Sequence, residues 1–322
     1  MSKKITVRKL AEELGIAAST VHRALSGHQN VRKETRQKVL RTAQKKGYLL
    51  PQHTKKDIAV ILPTLRVTGY LESLLLHLEN EFHRRGFRLY LILQQDIGLL
   101  GDHMFDGILS LVWKKGLEKL LPQQFSIPVV TLNAAPNMLE NIPLIASDSN
   151  GIRMALNYLH QRGCQRIFYL STYTENDLVA MERLEEFRQF CMETGQEYET
   201  MHLQLSDREI PNNLPRILQT SPDACFCASE TYAVELGHCL KAAGLRIPED
   251  ISLMGLEDRC NVHFSPPITS IRQNFEKLAE TAAEVMSEIL ASGTIPKDCK
   301  IPFTLIERES VRKPKKRSST GI

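Results

Sequence analysis

Positive charge is concentrated at the start of this 322-residue sequence. Residues 1–56 contain fourteen Lys or Arg against three Glu, a net charge of about +11, whereas the whole chain carries only +4. Clustered cations of this kind neutralise the phosphates of a nucleic acid and release its counterions. The rest of the chain is net acidic, so the charge pattern assigns phosphate-binding chemistry to the first segment alone.

Three short helices are predicted in this segment and would position those charges. Apolar residues recur at helical spacing in three groups, which are Val7, Leu10, Ala11 and Leu14; Val21, Ala24 and Leu25; and Val39, Leu40 and Ala43. Gly15 separates the first two groups, where a tight turn favours a residue without a Cβ atom. This order predicts a helix-turn-helix head whose second helix enters the major groove. A small solvated three-helix bundle without a ligand is the alternative.

Beyond the head, apolar strands alternate with amphipathic helices. The predicted strands are 58–63, 87–93, 106–112, 128–132, 166–170, 199–205, 224–228, 251–255 and 301–306. The predicted helices are 70–85, 150–162, 179–194, 212–219, 231–243 and 275–291. Continuous apolar strands between helices predict parallel sheets covered on both faces, and this length suits two sheets better than one. Ligands of such α/β folds bind at the carboxyl ends of the strands.

Several classes of protein are disfavoured by what the sequence lacks. No run of eighteen apolar residues could span a membrane, and no signal peptide precedes the head, so we expect a cytoplasmic protein. The seven Cys have no metal-type spacing and are expected to be free thiols. There is no Gly-rich phosphate loop, serine elbow or His-Glu metal pair. We therefore predict no cofactor, no metal and no catalysis.

The segment 6–48 closely resembles the DNA-binding head of lactose-repressor-type (LacI/GalR) transcriptional regulators. The matching positions are Leu10-Ala11, Gly15-Ile16, Thr20-Val21, Arg23, Leu25, Val31, Thr35-Arg36, Val39 and Gly47-Tyr48. Phrases similar to the same family recur in the body at 106–109, 127–130, 145–170, 181–187, 244–258, 265–273 and 305–310.

The resemblance implies an all-α head followed by two doubly wound parallel-sheet subdomains of the periplasmic-binding-protein-like type I. The expected head is 1–50, the linker 51–57 and the effector-binding and dimerisation domain 58–311. Its first subdomain would comprise 58–147 and 274–293, and its second 148–273 and 294–311. Residues 312–322 are expected to form a basic disordered tail.

DNA contacts carry over from the family by position. The resemblance assigns base edges to Ala18, Ser19 and Arg23, and phosphates to Thr20, His22, Asn30, Thr35 and Tyr48. Ala17 and Arg32 stand where the family usually has Ser, and the loss of a serine cap costs ~0.5–2 kcal/mol.

Two segments are shorter than the family pattern. The linker lacks about seven residues, so we expect no hinge helix wedged into the minor groove and no DNA bending by that route. The piece 94–105 lacks about ten residues, so its helix should be one turn or missing.

Effector contacts also carry over by position. They fall on Tyr70, Asn133, Asp148, Arg183, Phe226, Ser229, Glu230 and Glu257. Arg183 would offer a fixed fork of donors to ligand oxygens, and Phe226 would stack on a ring. The alternatives are an ion pair of Arg183 with Glu182 or Glu186, and a loop or capping role for Glu257. The single Trp, Trp113, either stacks on a ligand or covers the sheet edge.

Head and body together imply a sequence-specific DNA-binding transcriptional regulator, expected to be a repressor. It would bind double-stranded operator DNA as a homodimer, paired through helix 70–85 with its leucines Leu74, Leu75, Leu76 and Leu78. Its operator affinity would be controlled by a small-molecule effector, a sugar or sugar derivative, bound between the two subdomains. Phosphosugars and nucleosides are alternative effectors. The alternative function is a cytoplasmic small-molecule sensor that acts through a protein partner.

Overall fold

The computed structural model describes residues 5–26, 30–46, 48, 55–65, 69–101, 103–111, 127–133, 142–148, 150–172, 178–203, 209–258 and 264–313. The chain forms two compact units. Unit 1 comprises Met1–Ala146 and Glu276–Cys299, and unit 2 comprises Ser147–Phe275 and Lys300–Ile322. The head therefore belongs to unit 1.

Three helices form the head, as predicted. They are α1 (Val7–Leu14), α2 (Ala18–Leu25) and α3 (Lys33–Lys45). Their apolar faces meet in one core, made by Leu10, Ala11, Val21, Ala24, Val39 and Ala43. The Thr6 hydroxyl caps α1 by accepting from the Lys9 amide, and Gly15 ends that helix with a φ of 65°. Ala17 begins α2 without a side-chain cap, which is the expected consequence of the missing Ser.

A six-stranded sheet forms the centre of the body part of unit 1. The strand order is β11-β5-β4-β3-β1-β2. The strands are β1 (Lys56–Leu62), β2 (Phe87–Leu93), β3 (Gly107–Ser110), β4 (Val129–Leu132), β5 (Leu144–Ser147) and β11 (Cys299–Ile301). The helices α4 (Tyr70–Arg84) and α9 (Phe275–Ser292) accompany it. Leu74 and Leu78 of α4 are fully buried, so they belong to the core and cannot form the predicted dimer surface, whereas Leu76 is exposed.

Unit 2 contains the second six-stranded sheet, in the order β12-β10-β9-β8-β6-β7. The strands are β6 (Arg166–Thr172), β7 (Glu197–Leu203), β8 (Ala224–Cys227), β9 (Ser252–Glu257), β10 (Thr269–Arg272) and β12 (Thr304–Ile306). The helices are α5 (Asn150–Gln161), α6 (Leu178–Thr194), α7 (Glu209–Gln219) and α8 (Glu230–Ala242). The pairs β6–β7, β6–β8, β8–β9 and β9–β10 are parallel, whereas β10 and β12 pair antiparallel. The prediction of two doubly wound α/β sheets is confirmed.

The predicted single strand over 301–306 is wrong. The segment forms two strands, with β11 in the sheet of unit 1 and β12 in the sheet of unit 2. Pro302 lies between them, and a proline has no N–H with which to continue a ladder. The prediction also missed β5 and β10, since short strands with several Ser and Thr lack a continuous apolar run.

The borders of the linker and of the tail also differ from the prediction. Lys56 and Asp57 are part of β1, and residues 49–54 lie outside the described part, so the hinge-helix prediction stays untested. Arg312, assigned to a disordered tail, is instead ordered because its guanidinium pairs with Asp223 at 3.2 Å. Residues 314–322 lie outside the described residues.

The shortened segment after β2 is a 3-10 helix, Gln94–Gly101. Helix α3 of the head lies against it, and Met104 packs against the apolar core of the head. Phe105 packs in the core of the sheet of unit 1. Phe105 is thus fixed in the body while its neighbour Met104 touches the head, so the head and the body part of unit 1 are in direct contact.

Among the described helices, none is both long enough and apolar enough to cross a membrane.

Candidate DNA-binding and effector-binding sites

Helix α2 presents an exposed face that is suited to reading DNA. Val21 and Ala24 are buried in the head core, and they orient the helix. Ala18, Ser19, His22 and Arg23 are all exposed on the opposite side. Their spacing of three and four residues places them on one helical face. These four predicted contact residues are thus brought together on a basic head.

The other predicted DNA contacts surround this helix. Thr20 is half-buried on α2, and Thr35 is half-buried in the first turn of α3. Asn30 is exposed just before α3. The Tyr48 ring packs against the head core, and its amide donates to the Ala43 carbonyl at 2.9 Å. Tyr48 is therefore held at a fixed position while its side chain stays partly accessible.

Three predicted effector residues lie at the carboxyl ends of neighbouring strands in unit 2. Strands β9, β8 and β6 are adjacent in the sheet. Glu257 ends β9, whereas Ser229 and Glu230 follow β8 after one intervening residue, Ala228. Strands lie about 4.8 Å apart, so these groups share one short stretch of the sheet edge. We call Ser171, Arg183, Ser229, Glu230 and Glu257 the carboxyl-edge cluster.

The end of β9 has an unusual backbone. Glu257 and Asp258 both have positive φ values, 96° and 58°. A non-glycine residue in such a conformation costs about 1–3 kcal/mol, and the surrounding structure must hold it. The Asp258 carboxylate, 1% exposed, pairs with Arg272 at 2.6 Å and with Arg308 at 2.8 Å. These two ion pairs fix the turn and so position the neighbouring Glu257, which is itself 8% exposed.

The environment of Arg183 favours a role other than the ion pair considered above. Glu186 is occupied by Arg153, whose Nε lies 2.6 Å from its carboxylate. Within the described part of the chain, no hydrogen bond or ion pair of Arg183 is found. The guanidinium is half-buried on α6 and is available to a ligand.

Ser229 and Glu230 form the start of α8. Ser229 has an extended backbone, and its hydroxyl does not cap the helix. Glu230 is fully buried. A carboxyl group in the first turn of a helix is favoured by the helix dipole.

Phe226 lies in the core of unit 2. Its side chain is fully buried in the core of unit 2, and its ring lies 5.4 Å from that of Tyr169. Strand alternation directs Phe226 to the face of the sheet that packs in this core. We therefore leave Phe226 out of the site proposed below.

In unit 1, Tyr70 and Asn133 are brought together. The Asn133 amide nitrogen donates to the Tyr70 hydroxyl at 2.6 Å, and Asn133 has a φ of 50°. In unit 2, both oxygens of the Asp148 carboxylate accept from Asn150, at 3.1 Å and 2.9 Å. Asp148 therefore supports the start of α5, which accounts for it without a ligand. Trp113 lies outside the described residues.

The buried thiols are unreactive at neutral pH. Burial raises the pKa of Cys191 and of Cys225 to about 12. The thiolate is the reactive form of cysteine, so neither side chain is a nucleophile. Among the described residues, no cluster of three metal-ligating side chains occurs.

Ser171 and Met104 were missed by the sequence prediction. Ser171 lies in β6, and its hydroxyl is buried without a hydrogen-bond partner among the described residues. A polar residue after the apolar run Ile167–Leu170 is the one signal that could have indicated it. No local signal could have indicated Met104, because its contact is with the distant head.

Known proteins are similar to this chain over the head and over both units. Residues 156–311 match the model of a periplasmic binding protein-like domain family. The HTH-type transcriptional repressor PurR of Mannheimia succiniciproducens is 25% identical over 96% of this chain and 99% of its own length. The chain is a homologue of the LacI/GalR-type transcriptional regulators.

Solved structures of LacI/GalR-type regulators share this fold. A complex of the transcriptional regulator CelR with cellobiose has a TM-score of 0.70 and 23% identity, and covers 95% of this chain and all of its own. The Lac repressor dimer bound to operator and the anti-inducer ONPF also has a TM-score of 0.70, with 18% identity, and covers 96% of this chain and all of its own.

Proposed function

We propose that this protein is a sequence-specific, DNA-binding repressor that acts in the cytoplasm as a homodimer. The exposed face of α2 carries the proposal, because Ala18, Ser19, His22 and Arg23 project from a head with about +11 net charge. Arg is the side chain best suited to read guanine in the major groove. The relatives that share both the head and the body are named repressors, which agrees with this assignment.

The effector we propose is a sugar or sugar derivative bound at the carboxyl edge of the sheet in unit 2. In unit 2 the carboxyl-edge cluster combines a guanidinium, hydroxyls and carboxyl groups. Alternating donors and acceptors of this kind match the hydroxyls of a carbohydrate. The bound cellobiose of the structurally similar CelR supports the same class.

Control of operator affinity follows from linkage. An effector changes DNA binding only if it binds the two conformations of the protein with different affinities. We propose that effector binding biases the position of the heads, and that the bias reaches each head through the linker and the contact at Met104.

DNA binding is tested by selecting genomic fragments with the full-length protein and by gel shift at two salt concentrations. We expect one preferred operator and a binding constant that falls steeply with salt, because phosphate contacts release counterions. A protein that ignores duplex DNA of every sequence at low salt would support the alternative, a sensor that acts through a protein partner.

The effector assignment is tested with Arg183→Ala. The variant should bind the operator as the wild type does, but operator binding should no longer respond to the effector. Arg188→Ala is the matched control on the same helix, and it should keep the response. A normal response in Arg183→Ala would show that the assignment of the site is wrong.

A further inference from the structure

Strand β6 and helix α6 are held in a fixed register by one ring contact. The Tyr169 and Phe187 rings stack with centroids 4.7 Å apart and planes 16° apart. Helix α6 follows β6 and packs on it before the chain returns in the parallel strand β7, so the helix runs back along the strand.

This register brings Ser171 and Arg183 to the same place. Ser171 is two residues beyond Tyr169 on the same face of β6, a displacement of about 6.6 Å toward the carboxyl end. Arg183 is four residues before Phe187 on the same face of α6, a displacement of about 6 Å in the same direction. Both residues therefore lie toward the carboxyl end of β6, on the side of the sheet that α6 covers.

Ser171 carries a buried hydroxyl group that a ligand could hydrogen-bond. The residue is 1% exposed, and its hydroxyl has no hydrogen-bond partner among the described residues. Buried hydroxyls are nearly always hydrogen-bonded, so an exception needs a reason. The half-buried guanidinium of Arg183 likewise makes no ion pair within the described part.

We propose that Ser171 and Arg183 act as a pair that binds one oxygen-rich edge of an uncharged, polyhydroxylated ligand. This inference rests on the proposed function and names the ligand class of the same site. The serine hydroxyl donates and accepts, whereas the guanidinium donates through a fixed fork that matches two neighbouring hydroxyls. Ser171 is thereby a specificity-determining residue.

The neighbouring groups disfavour a phosphorylated ligand. Glu257 ends β9 and Glu230 follows β8, and both are buried at the same edge of the sheet. Arg272 and Arg308 at this edge are already paired with Asp258. A phosphate would therefore add negative charge beside two carboxyl groups with Arg183 alone to balance it, which is unfavourable for a dianion. Carboxyl oxygens instead accept hydrogen bonds from sugar hydroxyls.

The first experiment needs no ligand and compares melting temperatures of full-length variants. Ser171→Ala removes a buried hydroxyl without a partner, so its Tm should equal or exceed that of the wild type. The matched control is Ser252→Ala, since the Ser252 hydroxyl is also fully buried but accepts from the Arg312 amide at 3.2 Å. That control should lower the Tm. If Ser171→Ala lowered the Tm as much as Ser252→Ala does, the Ser171 hydroxyl would be structural, and the proposal would be overturned.

The second experiment measures binding of uncharged mono- and disaccharides, including D-ribose and cellobiose, and of glucose 6-phosphate. We expect an uncharged sugar to bind the wild type, with at least tenfold weaker binding to Ser171→Ala and to Arg183→Lys. Equal affinity in Ser171→Ala, preference for the phosphosugar, or no binding by any uncharged sugar would each overturn the proposal. Operator binding by the wild type and by Ser171→Ala is measured in parallel. If the wild-type protein does not bind an operator, the proposed function is wrong, which is a separate outcome from failure of the Ser171 proposal.

Discussion

Arg23 is the residue on which sequence preference in DNA binding should depend most. It is exposed on α2, whereas its neighbours Val21 and Ala24 are buried in the head core. Arg23→Ala should therefore leave the head folded and reduce specific operator binding by about 1–3 kcal/mol, roughly 5- to 150-fold. Gel-shift titrations with operator and random duplexes measure both constants.

Arg41→Ala is the matched control, because Arg41 is exposed on α3 and carries the same charge. Both substitutions should weaken the salt dependence of binding, but only Arg23→Ala should reduce the preference for operator over random DNA. A uniform loss on both duplexes with Arg23→Ala would show that Arg23 contacts phosphate and not a base.

The C-terminal segment of unit 2 is an element whose stability should depend on acid pH. Asp223 accepts from the amides of Gln165 and Arg166, both at 2.9 Å, and pairs with Arg312. Burial raises the pKa of Asp223, but these donors and the guanidinium outweigh it, so the net pKa lies below the usual 3.8. Its contribution is therefore complete above pH 3.8 and is lost as the pH falls through the lower folded pKa.

Asp223→Asn should lower the free energy of unfolding at pH 7 by about 1–2 kcal/mol, since a charged acceptor of three donors becomes neutral. The difference from the wild type should shrink below pH 3.8. Thermal unfolding at pH 7 and pH 3 measures it, with Asp96→Asn, an exposed carboxylate of unit 1, as the control. A pH-independent difference would mean that the charge of Asp223 is irrelevant.

The contact between the head and the 3-10 helix should limit the motion of α3. Met104 is half-buried against the head core. Met104→Gln keeps the side-chain size but puts an amide at that contact, at a cost of about 1 kcal/mol. Amide hydrogens of α3 should then exchange about fivefold faster, while those of α6 in unit 2 should not change.

Leu99→Gln is the matched control for Met104→Gln. Leu99 is on the 3-10 helix but is 52% exposed, so its substitution should not affect exchange. If Met104→Gln left the exchange of α3 unchanged, the head would be held by the linker alone, and coupling between body and head would not pass through this contact.

For the molecule as a whole, the sequence predicted those helices and strands that a regular spacing of apolar residues specifies. The head helices and the central strands follow from apolar spacing that no distant contact has to supply. The ion pairs of Asp258 with Arg272 and Arg308 could not be predicted, because the partners lie far along the chain. The positive φ of Glu257 likewise depends on tertiary packing. So does the crossing of the chain at Pro302, from β11 in one sheet to β12 in the other. The full burial of Phe226 could not be predicted either, because carry-over from a family gives a position but not a side-chain environment.

Exposed apolar residues of unit 1 mark a surface at which dimer formation can be tested. Helix α4 packs on β2, the edge strand of its sheet, and Leu76 of α4 and Leu91 of β2 are 57% and 56% exposed. Exposed leucines on neighbouring elements at a sheet edge are a surface that a second copy would cover. We therefore predict that Leu91→Asp raises the dimer dissociation constant more than tenfold, because an unpaired carboxylate would be buried.

Sedimentation velocity measures the mass change, and gel shift measures the consequence for DNA. A monomer binds one half-site only, so operator affinity should fall together with the dimer. Met192→Asp is the control, because Met192 is 65% exposed on unit 2 and should leave the mass unchanged. A stable dimer of Leu91→Asp with wild-type operator affinity would place the dimer contact elsewhere, and the pairing of heads on a palindromic operator would then depend on another surface.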